Sequence, residues 1–236
     1  MLNTALITGG SKRIGRSVSL ELAGLGYDIA LHYNLSFKEA VKTKSEIQKL
    51  GVKCELFKSD LSKISGSSAL IKKVVTKFPN LNILVNNASI FEEIRFLDVT
   101  EKHFDLDFNI NFKSPFFLSQ NFAKNVSGGM IINMLDARIS KIHNAHFVYN
   151  LSKKSLHQLT LMLARELGPE IRVNAICPGP ILPATGDDGK KLMKIAAKTP
   201  LKKIGDTSYI NHAVRYLITN KFITGEVLFV DGGQHI

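Results

Sequence analysis

Short apolar runs and longer amphipathic stretches take turns along this chain, and the alternation predicts its elements. Apolar runs predict strands at 3–8 (NTALIT), 28–33 (DIALHY), 52–58, 81–86 (LNILVN), 129–135 (GMIINML), 170–176 (EIRVNAI) and 226–230. Between them, apolar positions recurring at the helical period predict helices near 14–25, 37–50, 63–78, 101–126, 150–168 and 207–219. Strands that are apolar throughout must be covered on both faces, and strands separated by helices are joined by crossovers. The pattern therefore predicts an α/β chain with a doubly wound parallel sheet. In such sheets ligands sit beyond the carboxyl ends of the strands.

One stretch fits neither pattern. Residues 177–190, CPGPILPATGDDGK, hold three prolines, three glycines and the pair Asp187 and Asp188, all of which oppose regular structure. They follow the carboxyl end of a strand, so the stretch reads as a lid, and a substrate loop is expected near 177–200. No repeat or linker divides the chain, and one domain over 1–236 is expected.

Composition narrows the picture. At 236 residues, 44% hydrophobic and 22% charged, the chain is long enough to bury a sizeable core. Its two cysteines, Cys54 and Cys177, lack the spacing of a metal site or redox pair and are too few for a disulfide framework, so no metal is expected. No run approaches the roughly 20 apolar residues of a membrane span. The chain also begins without a basic leader and long apolar stretch, and a cytoplasmic protein with no membrane partner is expected. The net charge of +11 raises nucleic acid as a partner. The lysines are scattered, however, and the densest groups (Lys42, Lys44 and Lys49; Lys72, Lys73 and Lys77) fall on amphipathic helical patterns as solvated faces. No nucleic-acid partner is expected, and a positive field that attracts small anionic ligands is the milder consequence.

Candidate chemistry begins where the first strand meets the turn TGGSKRIG, residues 8–15. A glycine-rich turn between strand and helix lets backbone N–H groups approach a diphosphate at the helix N-terminus. The second strand ends in HYNLS, residues 32–36, with no acid to hold ribose hydroxyls. Lys12, Asn34 and Ser36 are suited instead to a 2′-phosphate, which favours NADPH over NADH. Farther on, Tyr149 and Lys153 stand four residues apart on one helical face, where an ammonium would favour phenolate. Thirteen residues before that tyrosine, Asp136 ends a buried strand.

Taken in order, TGGSKRIG, Asp60 with Leu61, NNAS at 86–89, Asn111, Tyr149 with Lys153, Pro178 with Gly179 and VDGG at 230–233 resemble the short-chain dehydrogenase/reductase superfamily along nearly the whole chain. The resemblance implies a Rossmann-like sheet of seven strands, matching the seven candidates above. It implies a homotetramer built from the helices near 101–126 and 150–168, where Leu156, Leu159 and Leu163 suit either an interface or packing on the sheet. A nicotinamide dinucleotide is implied, with contacts from Gly9, Ser11, Lys12, Arg13, Ile14 and Gly15, from Tyr33, Asn34 and Ser36, and from Asp60 and Leu61. Asn87, Ala88, Ser89, Lys153, Pro178 and Gly179 complete that set. By the same resemblance Tyr149 exchanges a proton with the substrate, Lys153 lowers its pKa and binds ribose, and Asn111 positions a water.

Most of the superfamily carries serine where this chain has Asp136. An ionised carboxylate accepts hydrogen bonds and donates none, so it serves a ketone poorly and suits a ring bearing N–H and amino donors. Pteridine reductases are similar here: they carry aspartate in a run like NMLDA (133–137), arginine at the position of Arg13, and N-A-S-x-F as at 87–91. The ending, FITG and DGGQH, is close to that of dihydromonapterin reductases. This resemblance implies NADPH-dependent reduction of a pterin (dihydrobiopterin, dihydromonapterin or dihydrofolate), with Arg13, Ser89, Phe91, Asp136 and Tyr149 on the substrate and Phe91 covering its ring. Tyr149 and Asp136 lie in the proton path, where Asp136 either pairs with ring donors or, when protonated, passes a proton through Tyr149. Leu35 departs from the arginine often found there in the parasite enzymes, and the lid matches poorly. The alternative is a 3-oxoacyl-[acyl-carrier-protein] reductase, for which a basic surface suits an acidic partner.

Overall fold

The computed structural model describes residues 3–142 and 144–236. Its seven strands are β1 (Thr4–Ile7), β2 (Asp28–Tyr33), β3 (Cys54–Lys58), β4 (Leu81–Asn86), β5 (Gly129–Met134), β6 (Ile171–Pro178) and β7 (Val227–Val230). They form one parallel sheet in the order β3-β2-β1-β4-β5-β6-β7. The order reverses direction between β1 and β4, and there the carboxyl ends open a crevice.

Helices cover both faces. On one lie α1 (Arg13–Gly24), α2 (Phe37–Gln48) and α8 (Thr207–Thr219), whose Val18, Leu22, Ile47, Val214 and Leu217 pack against Ile7, Ile29, Val85 and Ile132. The other carries α3 (Ile64–Lys77), α5 (Ser114–Asn125) and α6 (Phe147–Leu167), with Leu70, Ile71, Leu118 and Phe122 against Leu6, Leu84, Ile131 and Val173. The five inner strands, β2, β1, β4, β5 and β6, are thus buried on both sides, while the edge strands β3 and β7 remain partly exposed. Among the described residues no helix is long and apolar enough to cross a membrane, and Cys54 and Cys177 are buried free thiols.

Three expected elements differ. The helix expected over 101–126 is interrupted: α4 (Glu101–Phe108) passes through a π-helical turn, Asn109–Lys113, into α5. Pro115 has no N–H to continue the regular ladder at that point, and the widened turn faces Asn111 inward, fully buried. Next, α6 starts at Phe147, three residues earlier than expected, so Tyr149 lies in its first turn. Finally, the expected loop is shorter at both ends. β6 runs through Pro178, and α7 (Lys190–Ala196) forms after Gly189, whose φ of 84° turns the chain into the helix. Leu156 and Leu159 are buried against the sheet, so these two leucines serve the core.

A polar thread crosses the middle of this apolar slab. Asn86 and Asn133 are register partners on β4 and β5; the Asn86 Nδ2 donates to Asn133 Oδ1 at 2.8 Å, and Asn133 Nδ2 donates to Thr160 Oγ1 at 2.9 Å. All three residues are buried.

Candidate active site

The crevice is lined first by the turn after β1. Thr8 ties it to β4: its hydroxyl accepts the N–H groups of Asn87 at 2.9 Å and Ala88 at 3.0 Å, and Asn87 Nδ2 donates back to the Thr8 carbonyl at 2.8 Å. Gly9 has φ of 61°, and a Cβ on Gly15 would stand 2.1 Å from the Gly9 carbonyl oxygen, so neither position admits a side chain. His32 braces it from β2, accepting the Gly9 N–H on Nδ1 at 3.0 Å while Nε2 donates to the Ser59 carbonyl at 3.1 Å. Both ring nitrogens are therefore committed in the neutral form, and burial pushes the imidazole pKa down to about 4.

The first turn of α1 has no side-chain cap and no acid, which leaves its N–H groups directed at the crevice. This open terminus beside the close-packed Gly9 and Gly15 fits a diphosphate. Nearby, Ser11 Oγ and Ser36 Oγ lie 2.7 Å apart, with Lys12, Asn34 and Leu35 exposed around them. No carboxylate ends β2, so the residues present suit a phosphate there. Tyr33 packs into the core against Phe37, and Leu61 is buried beneath α3. Asp60 accepts both the N–H and hydroxyl of Ser62, which hold its carboxyl below the usual range. Across the crevice, a Cβ on Gly179 would come within 2.5 Å of Asp231 Cα, so the chain leaves Pro178 pressed against the end of β7.

Arg13 stands in α1's first turn with φ of 56°. A side chain in the left-handed region costs roughly 1–2 kcal/mol. Its guanidinium donates to the Pro183 carbonyl and so joins the phosphate turn to the lid. A second lid contact, Lys191 Nζ to Glu93 Oε2 at 3.2 Å, joins α7 to the loop after β4.

At the carboxyl end of β5 the structure brings Asp136, Tyr149 and Lys153 together. The Tyr149 hydroxyl donates to Asp136 Oδ2 at 2.9 Å, and Asp136 Oδ1 accepts the Arg138 N–H at 2.8 Å. Lys153 Nζ donates to the Met134 carbonyl at 2.8 Å and stands 5.7 Å from the tyrosine ring centroid. The expectation that the ammonium draws Tyr149 toward phenolate is not met. Burial, followed by the charge of Asp136 and the hydrogen bond to it, holds the phenol well above its ordinary pKa. Lys153 itself is pushed down to about 8 by burial, an effect that the charge of Asp136 opposes. The phenol therefore keeps the proton that it donates to Asp136.

Asn111 reaches this centre from the π-helical turn. Its Oδ1 accepts from Ser89 Oγ at 2.9 Å and the Ile90 N–H at 3.1 Å, while Nδ2 donates to the Ile90 carbonyl at 3.2 Å. The same Nδ2 donates to Asp107 Oδ1 at 2.8 Å. Sequence reasoning missed Asp107, a buried acid one helical turn before Asn111. Burial, then Glu92, pushes it up to about 6.

Phe91 lies beside the centre, edge-on to Tyr149 with centroids 4.7 Å apart. Its stacking surface is already in use. His146 lies flat against it at 3.9 Å, and the Arg138 guanidinium carbon stands over it at 4.7 Å. A planar substrate must therefore share or displace these partners. His32, His146 and Arg138 also escaped sequence reasoning, because their neighbours come from distant segments and no spacing announces them.

Comparison with known proteins adds the family. Residues 9–235 match the family described as Enoyl-(Acyl carrier protein) reductase. The 3-oxoacyl-[acyl-carrier-protein] reductase FabG of Staphylococcus epidermidis is 32% identical over 246 residues, covering 100% of both chains. The solved structure of FolM alternative dihydrofolate reductase 1 from Brucella canis, complexed with NADP, is 33% identical with a TM-score of 0.91, covering 99% of this chain and 94% of that one. A short-chain dehydrogenase from Burkholderia cenocepacia in complex with NADP superposes with a TM-score of 0.95 at 28% identity, covering 99% and 98%. With its parallel sheet, glycine turn and Tyr149–Lys153 pair, this chain belongs to the short-chain dehydrogenase/reductase family of oxidoreductases.

Proposed function

We propose that the chain is an NADPH-dependent reductase of a dihydropterin or dihydrofolate. The observation that carries this reading is the hydrogen bond from Tyr149 to Asp136 at 2.9 Å, which puts an acceptor where a carbonyl-reducing enzyme needs a donor. The open first turn of α1 and Gly9 to Gly15 would hold the diphosphate, while Lys12, Ser11 and Ser36 would hold a 2′-phosphate. The dinucleotide supplies hydride when bound. The chain supplies the proton and the orientation. Asp136 accepts hydrogen bonds from ring N–H or amino groups, and Ser89, whose proton is directed to Asn111, offers lone pairs to the same kind of donor. Tyr149 holds a proton at its hydroxyl and delivers it to the nitrogen of the C=N bond being reduced, as hydride reaches the carbon. The buried Lys153 ammonium then stabilises the tyrosinate left behind.

A second reading is favoured by a different observation, the full-length likeness to the staphylococcal 3-oxoacyl-[acyl-carrier-protein] reductase. Tyr149 and Lys153 would serve that reaction equally well. Asp136 would face the keto oxygen with lone pair against lone pair.

NADPH oxidation, followed at the nicotinamide absorbance, separates the two. Dihydrobiopterin, dihydromonapterin and dihydrofolate are run beside acetoacetyl-CoA, and turnover of a pterin alone is expected. Asp136→Ala should lower pterin turnover by about 10²-fold or more, the range of general acid–base contributions. Turnover of the thioester alone, or an Asp136→Ala variant as active as the parent, would sink the pterin reading.

A further inference from the structure

Arg138 stands at the mouth of this site as a cation without a counter-ion. Among the described residues no carboxylate lies within salt-bridge distance of its guanidinium. Two acids of the same region are committed elsewhere. Asp136 turns its oxygens to the Tyr149 hydroxyl and to the backbone N–H of Arg138, not to the guanidinium, and keeps lone pairs for a ligand. Glu93 is paired with Lys191 across the lid. The guanidinium rests over Phe91, and its Nη1 is enclosed with no hydrogen-bond partner among the described residues. Leaving an enclosed charged donor unsatisfied is costly, so such a group in a native site points to an acceptor that arrives with the ligand. A guanidinium presents a planar fork that matches carboxylate and phosphate oxygens, and an aromatic face beneath it holds that fork in place.

We propose that Arg138 is an anion subsite, holding a carboxylate or phosphate that the substrate carries apart from the atoms being reduced. The placement sets the reach. Arg138 and Tyr149 contact the same Phe91 ring, at 4.7 Å from its centroid in each case, so the anionic group and the reducible group are held around one aromatic ring. The substrate is accordingly bipartite, with a reducible group at Tyr149 and an acid beyond Phe91. This holds for either chemistry at Tyr149, since the subsite reads the acid and not the reducible group.

The test uses matched substrate pairs with the full chain and NADPH. One pair is dihydrofolate, which carries glutamate carboxylates, and dihydrobiopterin, which carries none. The other is acetoacetyl-CoA, which carries phosphates, and the N-acetylcysteamine thioester of acetoacetate, which carries none. Arg138→Gln should raise KM for the anionic member of the reacting pair about ten-fold more than for the neutral member, the scale of one charge-assisted hydrogen bond, with kcat for the two members changing alike. Arg138→Lys, which keeps the charge and loses the fork, should fall between. An equal KM rise for both members would mean that Arg138 merely props Phe91, and no rise for either would mean that it binds nothing; both overturn the subsite. Which pair reacts in the unmodified chain decides the chemistry at Tyr149, while the difference within a pair decides Arg138. With neither pair turned over, the subsite falls along with both readings.

Discussion

Two buried residues give the chain opposite responses to acid. His32 is held neutral in the fold at a pKa of about 4, against 6.5 for an ordinary histidine. As pH falls from 6.5 toward 4 the unfolded chain takes up a proton that the fold refuses, so this group costs stability at up to about 1.4 kcal/mol per pH unit. Asp107 runs the other way. Its carboxyl is raised to about 6 in the fold, so between the ordinary 3.8 and that value the folded chain binds more protons, and stability falls as pH rises through the window. Urea unfolding at pH 5 and pH 7 should therefore show a flatter acid decline in His32→Gln. At pH 7 an Asp107→Asn variant should be more stable than the parent by roughly 1–3 kcal/mol, since it removes a desolvated charge and retains an acceptor for Asn111. A destabilised Asp107→Asn would mean that the carboxylate has a compensating partner. Neither residue announced itself in the sequence: His32 needs Gly9 and Ser59 to acquire its role, and Asp107 needs Asn111 from the next turn and Glu92 from outside its helix.

Strands and phosphate turn were legible because each is encoded within a few residues: apolar continuity for the strands, and glycine spacing for the turn. The interruption of the helix after Phe108 was not, because the apolar period continues across Pro115 and only the backbone registers the missing N–H. Helix α7 was hidden by its seven-residue length and its glycine and proline surroundings. The same reasoning makes a prediction for the phosphate turn. Gly15→Ala places a methyl 2.1 Å from the Gly9 carbonyl, against backbone that cannot yield as a flexible side chain would. Its KM for NADPH should rise by ten-fold or more, about 1.4 kcal/mol, in steady-state kinetics. A variant with unchanged KM would show that the turn has slack the packing does not suggest.

On the scale of the whole molecule, the charge of +11 surrounds a site that we read as binding anions. Raising ionic strength from about 0.05 to about 0.5 M shortens the Debye length roughly three-fold, so KM for NADPH should rise several-fold while kcat holds. An insensitive KM would assign cofactor binding to local contacts alone. The outer faces of α4 to α6 expose Phe104, Phe116, Leu151 and Met162, the region in which the family resemblance implied assembly. Light scattering should report a homotetramer, and Met162→Glu should shift it toward smaller species; an unmodified monomer would remove the assembly proposal. The strand order, by contrast, was not legible, because alternation fixes which elements exist and leaves open which strand neighbours which. Inside that sheet, the thread from Asn86 through Asn133 to Thr160 carries a consequence for how the chain finds its alignment. Aliphatic strands can slide past one another with little change in buried area, but a one-residue slip of β5 would swing Asn133 to the opposite face, away from Asn86 and Thr160. Its buried amide would lose those partners at about 1–3 kcal/mol, while Asn86 would keep only the Ser119 hydroxyl. The thread works as a proofreading mark at the centre of the molecule: mispaired intermediates are penalised where apolar packing would tolerate them.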